Sequence, residues 1–197
     1  MYASLITGNL RPDGIDEALH IYREQIIPTA RAQFQGFQGM YVLTDRASGQ
    51  GLTIALYATE ADARLVESRG QFGQAAVAFR ELLTEPPVRE VREVVFHDRR
   101  DSARFARVTD ATMTAEGLAQ AIPSGGGPMA EAAARQPGYA GFLVALDRAS
   151  GQLTGMSFWD SMAALEASEH AYYQPQINQI ASATPPRRRI FEVGAQA

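Results

Sequence analysis

A chain of 197 residues, 46% hydrophobic and 20% charged, has the make-up of an ordinary globular protein, long enough to bury a core as one large domain or two small ones. Its net charge of −4 gives no support to nucleic-acid binding, which needs a basic face to neutralise phosphates. There is no cysteine, and every one of the 18 basic residues is arginine, so thiolate catalysis, iron–sulfur clusters, disulfides and lysine Schiff bases are excluded.

The opening MYASLIT has neither a positive n-region nor a long apolar h-region, so no signal peptide is expected. No apolar run approaches the roughly 20 residues that cross a bilayer, and a cytoplasmic location is expected. Tyr2–Thr7 reads as a short apolar strand. From Asp13 to Phe34, Ile15, Leu19, Tyr22, Ile26 and Ala30 recur at helical spacing, with Asp13 as the expected cap and Glu17 complementing the dipole. Met40–Thr44 and Leu52–Tyr57 are strands joined by the polar DRASGQG, a hairpin whose Ser-Gly suits positive φ. A second helix is expected from Glu60 to Leu83, stopped by EPP, and Val88–Phe96 is the last strand of this half.

The hexapeptide DRASGQ then recurs. It stands at Asp45–Gln50 and again at Asp147–Gln152, and the likeness extends without a gap from Gly36–Ala63 to Gly138–Leu165. PPVREVREV from Pro86 resembles PPRRRIFEV from Pro185 at a slightly shorter offset, so the chain is a tandem duplication that has lost a few residues in its second copy. The second copy repeats the order, with strands at Arg104–Thr109, Gly141–Leu146, Leu153–Trp159 and Arg187–Val193. The polar HDRRDS (His97–Ser102) reads as the linker, giving domains 1–98 and 99–197. One departure stands out: AIPSGGGPMA replaces an uninterrupted helix, and its prolines and glycines predict a loop between Ile122 and Pro128.

In Met40–Thr44 and Phe142–Leu146 odd and even positions are both largely apolar. A sheet with helices on one face and water on the other should alternate. The second face must therefore be covered, and the other copy's sheet is the expected cover. The fold class is α+β: two tandem ferredoxin-like βαββαβ units forming one barrel within the chain, helices outside.

This order, the G-F-x-G before an apolar strand, and WDSMAA from Trp159 (YATEADA from Tyr57) resemble the antibiotic biosynthesis monooxygenase (ABM) family. The resemblance covers nearly the whole chain, once per copy. It implies a dimeric α+β barrel, here fused into one chain, and a pocket between each sheet and its helices. Some members oxidise polycyclic phenols there with molecular oxygen and no cofactor. Such a site needs a dry cavity, a proton acceptor and donors aimed at an enolate oxygen.

Candidates for these roles are few. Trp159, the only tryptophan, is either a packed core aromatic or a wall on which a planar substrate stacks, and Tyr57 is its counterpart in copy one. EHAYYQPQIN (Glu169–Asn178) is the densest polar-aromatic run: His170 is the candidate general base, with Tyr172, Tyr173 and Asn178 as candidate donors. Its bland reading is an irregular helix end. Copy one has Ser68-Arg69-Gly70 there, so a single working pocket is expected in copy two. The glycine loop PSGGGP is a decayed helix or a pocket lid, not a phosphate-binding loop, since no Lys-Ser/Thr follows. His20, Arg31 and Arg64 read as surface or rim residues.

Haem-degrading relatives on this fold combine a strand asparagine with a tryptophan and an axial histidine on the second helix. Asn9 fits in copy one, but Val66 and Ala76 cannot ligate iron; in copy two Asp110-Ala111 replaces the asparagine while His170 is present. Phenol-oxidising members place an asparagine four residues before the strand tryptophan, where this chain has Gly155 or Thr53. The histidines His20, His97 and His170 are too dispersed for a metal site, and Arg187–Arg189 reads as a charged strand end. The expected function is a cofactor-independent, monooxygenase-like protein acting on a small aromatic or polyketide-type compound. The alternative is a non-catalytic barrel that binds a small hydrophobic molecule. No metal, nucleic-acid or membrane partner is expected; a further homodimer is compatible.

Overall fold

Copy one forms β1 (Tyr2–Asn9), α1 (Ile15–Ile21), a π turn (Tyr22–Ile26), α2 (Ile27–Gln33), β2 (Phe37–Thr44), β3 (Gln50–Tyr57), α3 (Glu60–Leu65), α4 (Gly73–Leu82) and β4 (Val88–Arg99). Copy two follows with β5 (Phe105–Thr112), α5 (Ala115–Ser124), α6 (Gly127–Ala134), β6 (Tyr139–Leu146), β7 (Gln152–Trp159), α7 (Met162–Ser168), a π turn (Glu169–Tyr173), α8 (Gln174–Ile177) and β8 (Arg187–Gln196). This computed structural model describes residues 1–65, 73–100, 102–124 and 126–197. The fold is α+β, two βαββαβ repeats: the hydrogen-bonded order is β1-β3-β2 continued by the end of β8 in one, and β5-β7-β6 continued by the end of β4 in the other.

Three local expectations are corrected. The first helix is capped by Gly14 rather than Asp13, with no side-chain cap. The second helix of copy one is described at both ends, as α3 and α4; residues 66–72, with Val66 and Ser68-Arg69-Gly70, lie outside the described residues. The glycine segment interrupts its helix only briefly: α5 runs through Ser124 and α6 restarts at Gly127, with Gly126 at φ +78°. Pro128 falls in the first turn of α6, where its missing N–H is not needed. Finally, His97–Arg99 is strand rather than linker, because His97, Asp98 and Arg99 pair with Leu143, Phe142 and Gly141 of β6.

That last pairing shapes the molecule. By its internal contacts the chain forms one compact unit of Met1–Arg92 with Glu192–Ala197, and another of Glu93–Phe191. The final strand of each copy is thus divided between units. In the first unit Glu192–Gln196 pairs with Thr44–Tyr41 of β2, and Met40 and Ala197 exchange backbone hydrogen bonds of 2.9 and 2.8 Å.

The repeated hexapeptide is tied to this division. Asp45 accepts from the Ala47 N–H at 3.0 Å and the Ser48 hydroxyl at 2.5 Å, and Gly49 turns the chain at φ +75°. A Cβ at Gly49 would lie 2.5 Å from the Leu10 carbonyl oxygen, so only glycine fits. Asp147, Ala149, Ser150 and Gly151 repeat the arrangement. Each turn's arginine then grips the divided strand at the same repeat position: Arg46 donates to Glu192 at 3.2 Å, and Arg148 to Glu93 at 2.5 Å. The Ser48 hydroxyl holds Asp45, and the Arg148 guanidinium holds Glu93, below the usual carboxylate range.

Each unit buries its own core against its helices. Leu19, Tyr22, Ile26, Val42, Ala55 and Tyr57 anchor the first; Ala133, Phe142, Val144, Trp159, Leu165 and Tyr172 the second. The alternate residues of these strands, such as Leu43, Ile54, Leu143 and Met156, are equally buried, so both sheet faces are covered. Among the described residues no helix is long and apolar enough to cross a membrane.

Candidate functional site in copy two

Pairing register defines the helix-facing side of the second sheet. Thr109, Gly155 and Val144 form one row across β5, β7 and β6, and Arg107, Ser157 and Phe142 form the next. The corresponding row of copy one is Ile6, Thr53 and Val42. Gly155, without a side chain, thus stands at the position where the other repeat has Thr53.

The consequence is a large difference in empty space. Copy two holds a cavity of about 320 Å³ whose floor is Val144, Leu146, Leu153 and Gly155. Met113, Gly117, Gly126, Pro128 and Met129 close one side; Gln176, Gln179, Ile180 and Ala181 close another. The equivalent space in copy one is about 20 Å³, filled by Leu19, Tyr22 and Phe79 over Val42 and Thr53. A volume of this size lies at the lower end of the range of small-molecule sites. Its lining among the described residues is apolar apart from two amides, and that suits a largely apolar ligand.

Beside this cavity lies a buried polar knot. Arg107, in the middle of β5, is 1% exposed. It donates to the Leu165 carbonyl at 2.6 Å and the Ser168 hydroxyl at 3.0 Å, and lies 3.1 Å from the Glu169 carboxylate. Its guanidinium sits 4.6 Å from the centre of the Tyr173 ring. Glu169 also accepts from Arg188 and from the Gln174 amide. Burial pulls the Arg107 pKa down, opposed chiefly by Glu169. The π turn that starts at Glu169 adds the extra residue that lets two consecutive tyrosines point inward. Tyr172 is pushed up by burial and bonded to Ser157, while the Tyr173 hydroxyl meets the Thr109 hydroxyl at 3.2 Å, one strand from Gly155.

The sequence-named residues fall into three places. Trp159 is fully buried: its indole N–H donates to Ser157 at 3.1 Å, and its ring meets Tyr139 edge-on and Tyr172 at a tilt. Tyr57 is packed edge-on against Phe37, and burial raises its phenol to about 12. Tyr172 and Tyr173 join Arg107 in the knot, whereas His170 and Asn178 are exposed on the same segment. The cavity lining contains Gln176 from the run but not Trp159. Among the described residues no group of three His, Cys, Asp or Glu side chains converges as a metal site.

Sequence reasoning missed Arg107 and the opening at Gly155. The signal for Arg107 was a charge in phase with Phe105 and Thr109, between the apolar Ala106 and Val108, where copy one has Ser4. Copy one reaches the same helix position from another strand: Arg89 of β4 donates to Ser4 at 2.7 Å and to the Ala63 carbonyl at 2.5 Å, Ala63 being the counterpart of Leu165.

Comparison with solved structures places this architecture. A candidate monooxygenase from Fusobacterium nucleatum superposes with a TM-score of 0.77 at 13% identity, covering 99% of this chain and 93% of that one. An anthrone oxidase-like protein gives 0.68 at 18% identity over 100% and 92%. A haem-degrading enzyme from Listeria monocytogenes gives 0.58 at 10% identity over 98% and 99%. The chain therefore has the ferredoxin fold of proteins related to antibiotic biosynthesis monooxygenases, carried twice. Identities this low establish the fold alone, and these proteins share it across different chemistries. No family model and no curated protein matches the sequence.

Proposed function

We propose that the chain binds a small, flat, largely apolar compound in the copy-two cavity and oxidises it with molecular oxygen and no cofactor. The observation that carries this reading is the contrast between about 320 Å³ in copy two and about 20 Å³ in copy one. Apolar walls supply the dry environment in which a deprotonated phenol or anthrone reduces oxygen itself, and two glutamines supply hydrogen-bonding groups. His170 is proposed as the proton acceptor and Tyr172, Tyr173 and Asn178 as donors, reached by a ligand that extends past Gln176 along the Glu169–Asn178 segment, since none of them lines the cavity itself. Trp159 packs behind Tyr172, and Tyr57 holds the equivalent place in copy one. A cytoplasmic location and pairing of chains into a homodimer belong to the same proposal.

Oxygen uptake with a panel of anthrones and hydroquinones, without flavin or metal, tests it. Catalysed uptake is expected, falling by about 100-fold or more in His170→Ala, the usual scale of a lost general base, and by less in Trp159→Phe. Absence of uptake across the panel overturns the oxidation reading. A second reading, a barrel that binds such a compound without transforming it, is favoured by one observation: no titratable side chain is among the described residues that line the cavity.

A further inference from the structure

Each copy contains one tyrosine on a π turn that meets one threonine on the sheet, but the two pairs are built from opposite helices. In copy one Tyr22 belongs to the first helix, and its hydroxyl lies 2.7 Å from that of Thr53 on β3. Thr53 is the central residue of its row, so the ring of Tyr22 lies across the middle of the sheet and fills the space above it. In copy two Tyr173 belongs to the second helix, and its hydroxyl meets Thr109 on the outer strand of the row. The centre of that row is Gly155, and the first helix carries no tyrosine there but the break around Gly126. A side chain at Gly126 is barred twice, by φ +78° and by the Val144 methyl 2.8 Å from where its Cβ would stand.

From this exchange we infer that the tyrosine–threonine pair determines which repeat receives the ligand. In copy one it plugs the space over the centre of the sheet; in copy two it is drawn to the outer strand and leaves the centre, at Gly155, open. Of the two equivalent positions, only that of copy two then takes a small molecule, and the identity of residue 155 sets whether it is open. The inference rests on the proposed binding role of the cavity and extends it: copy one is the same site, closed by Tyr22 and Thr53. Tyr173 is held in this drawn-aside position, since Arg107 stacks on its ring and binds Glu169 at the start of the same π turn.

Isothermal titration with anthrone, a neutral three-ring probe, tests this without requiring turnover. The wild-type chain should bind one equivalent. Gly155→Thr, which installs the copy-one residue, should weaken binding at least tenfold while leaving the far-ultraviolet circular dichroism and the unfolding midpoint close to wild type. Tyr22→Ala should add a second equivalent; if that variant does not fold, Thr53→Gly should add weaker binding at the same place. One equivalent that persists unchanged in Gly155→Thr overturns the inference alone, as does a wild-type stoichiometry of two. No binding by the wild type overturns both the inference and the proposed role of the cavity. Binding that follows the variants without oxygen uptake leaves the inference standing and removes only the oxidation reading.

Discussion

Glu169→Ala is expected to destabilise the protein by about 3–5 kcal/mol, the scale for leaving a buried charge without its partner. The side chain of Arg107 is fully enclosed, and Glu169 is the carboxylate in contact with it. Its other partners, a carbonyl and a hydroxyl, satisfy N–H groups but do not neutralise the charge. Arg107→Met should cost much less, because it removes the charge and keeps much of the volume; exchange of a buried ionic group for a packed apolar one is often near neutral. Glu169 then keeps Arg188 and some contact with water. Urea unfolding of both variants and of the double variant measures the difference. If Glu169→Ala stays within about 1 kcal/mol of wild type, the guanidinium does not depend on that carboxylate and the knot is not what holds the π turn.

Removal of residues 192–197 is the second large effect. Those residues supply the strand that pairs with Tyr41–Thr44, and Ala197 closes the ladder on Met40. Their loss uncovers the hydrogen-bonding edge of β2, a strand buried on both faces from Gly39 onward. Such an edge is a template for association. The truncated chain should lose cooperative thermal unfolding of the first unit and sediment as larger species with rising concentration. Arg46→Ala, which removes half-exposed ion pairs to Glu192 of the same strand and to Asp16, should change stability by no more than about 1 kcal/mol. A truncated monomer with the wild-type midpoint contradicts the divided-strand description.

The duplication was readable because turns tolerate little change: Gly49 and Gly151 must be glycine, and their aspartates and serines close the same turn. The apolar character of both faces of β2 and β6 likewise pointed to a doubly covered sheet, which the burial of Tyr139–Leu146 shows throughout. The extension of β4 past Phe96 was hidden because His97, Asp98 and Arg99 look like linker; their pairing depends on β6, 40 or more residues away. The cavity was hidden for a related reason. A glycine at 155 reads as a weak strand residue, and only its row partners, with Tyr173 drawn aside to Thr109, turn it into a floor. The tyrosines of the EHAYYQPQIN run were visible as chemistry-bearing, but their anchor Arg107 lies on a distant strand that periodicity alone assigns to the core.

The central claim is that copy two is open and copy one is filled. The six methionines allow a direct test by methyl NMR of protein labelled at the methionine methyl carbon, titrated with anthrone. Met113 and Met129 line the cavity; Met40 lies in the first unit's core, and Met156 is buried on the opposite face of β7 from Gly155. The Met113 and Met129 signals should shift together along one saturable curve while Met40 and Met156 stay in place. Saturable shifts at Met40 equal to those at Met113, or binding that leaves Met113 and Met129 unmoved, would contradict the claim.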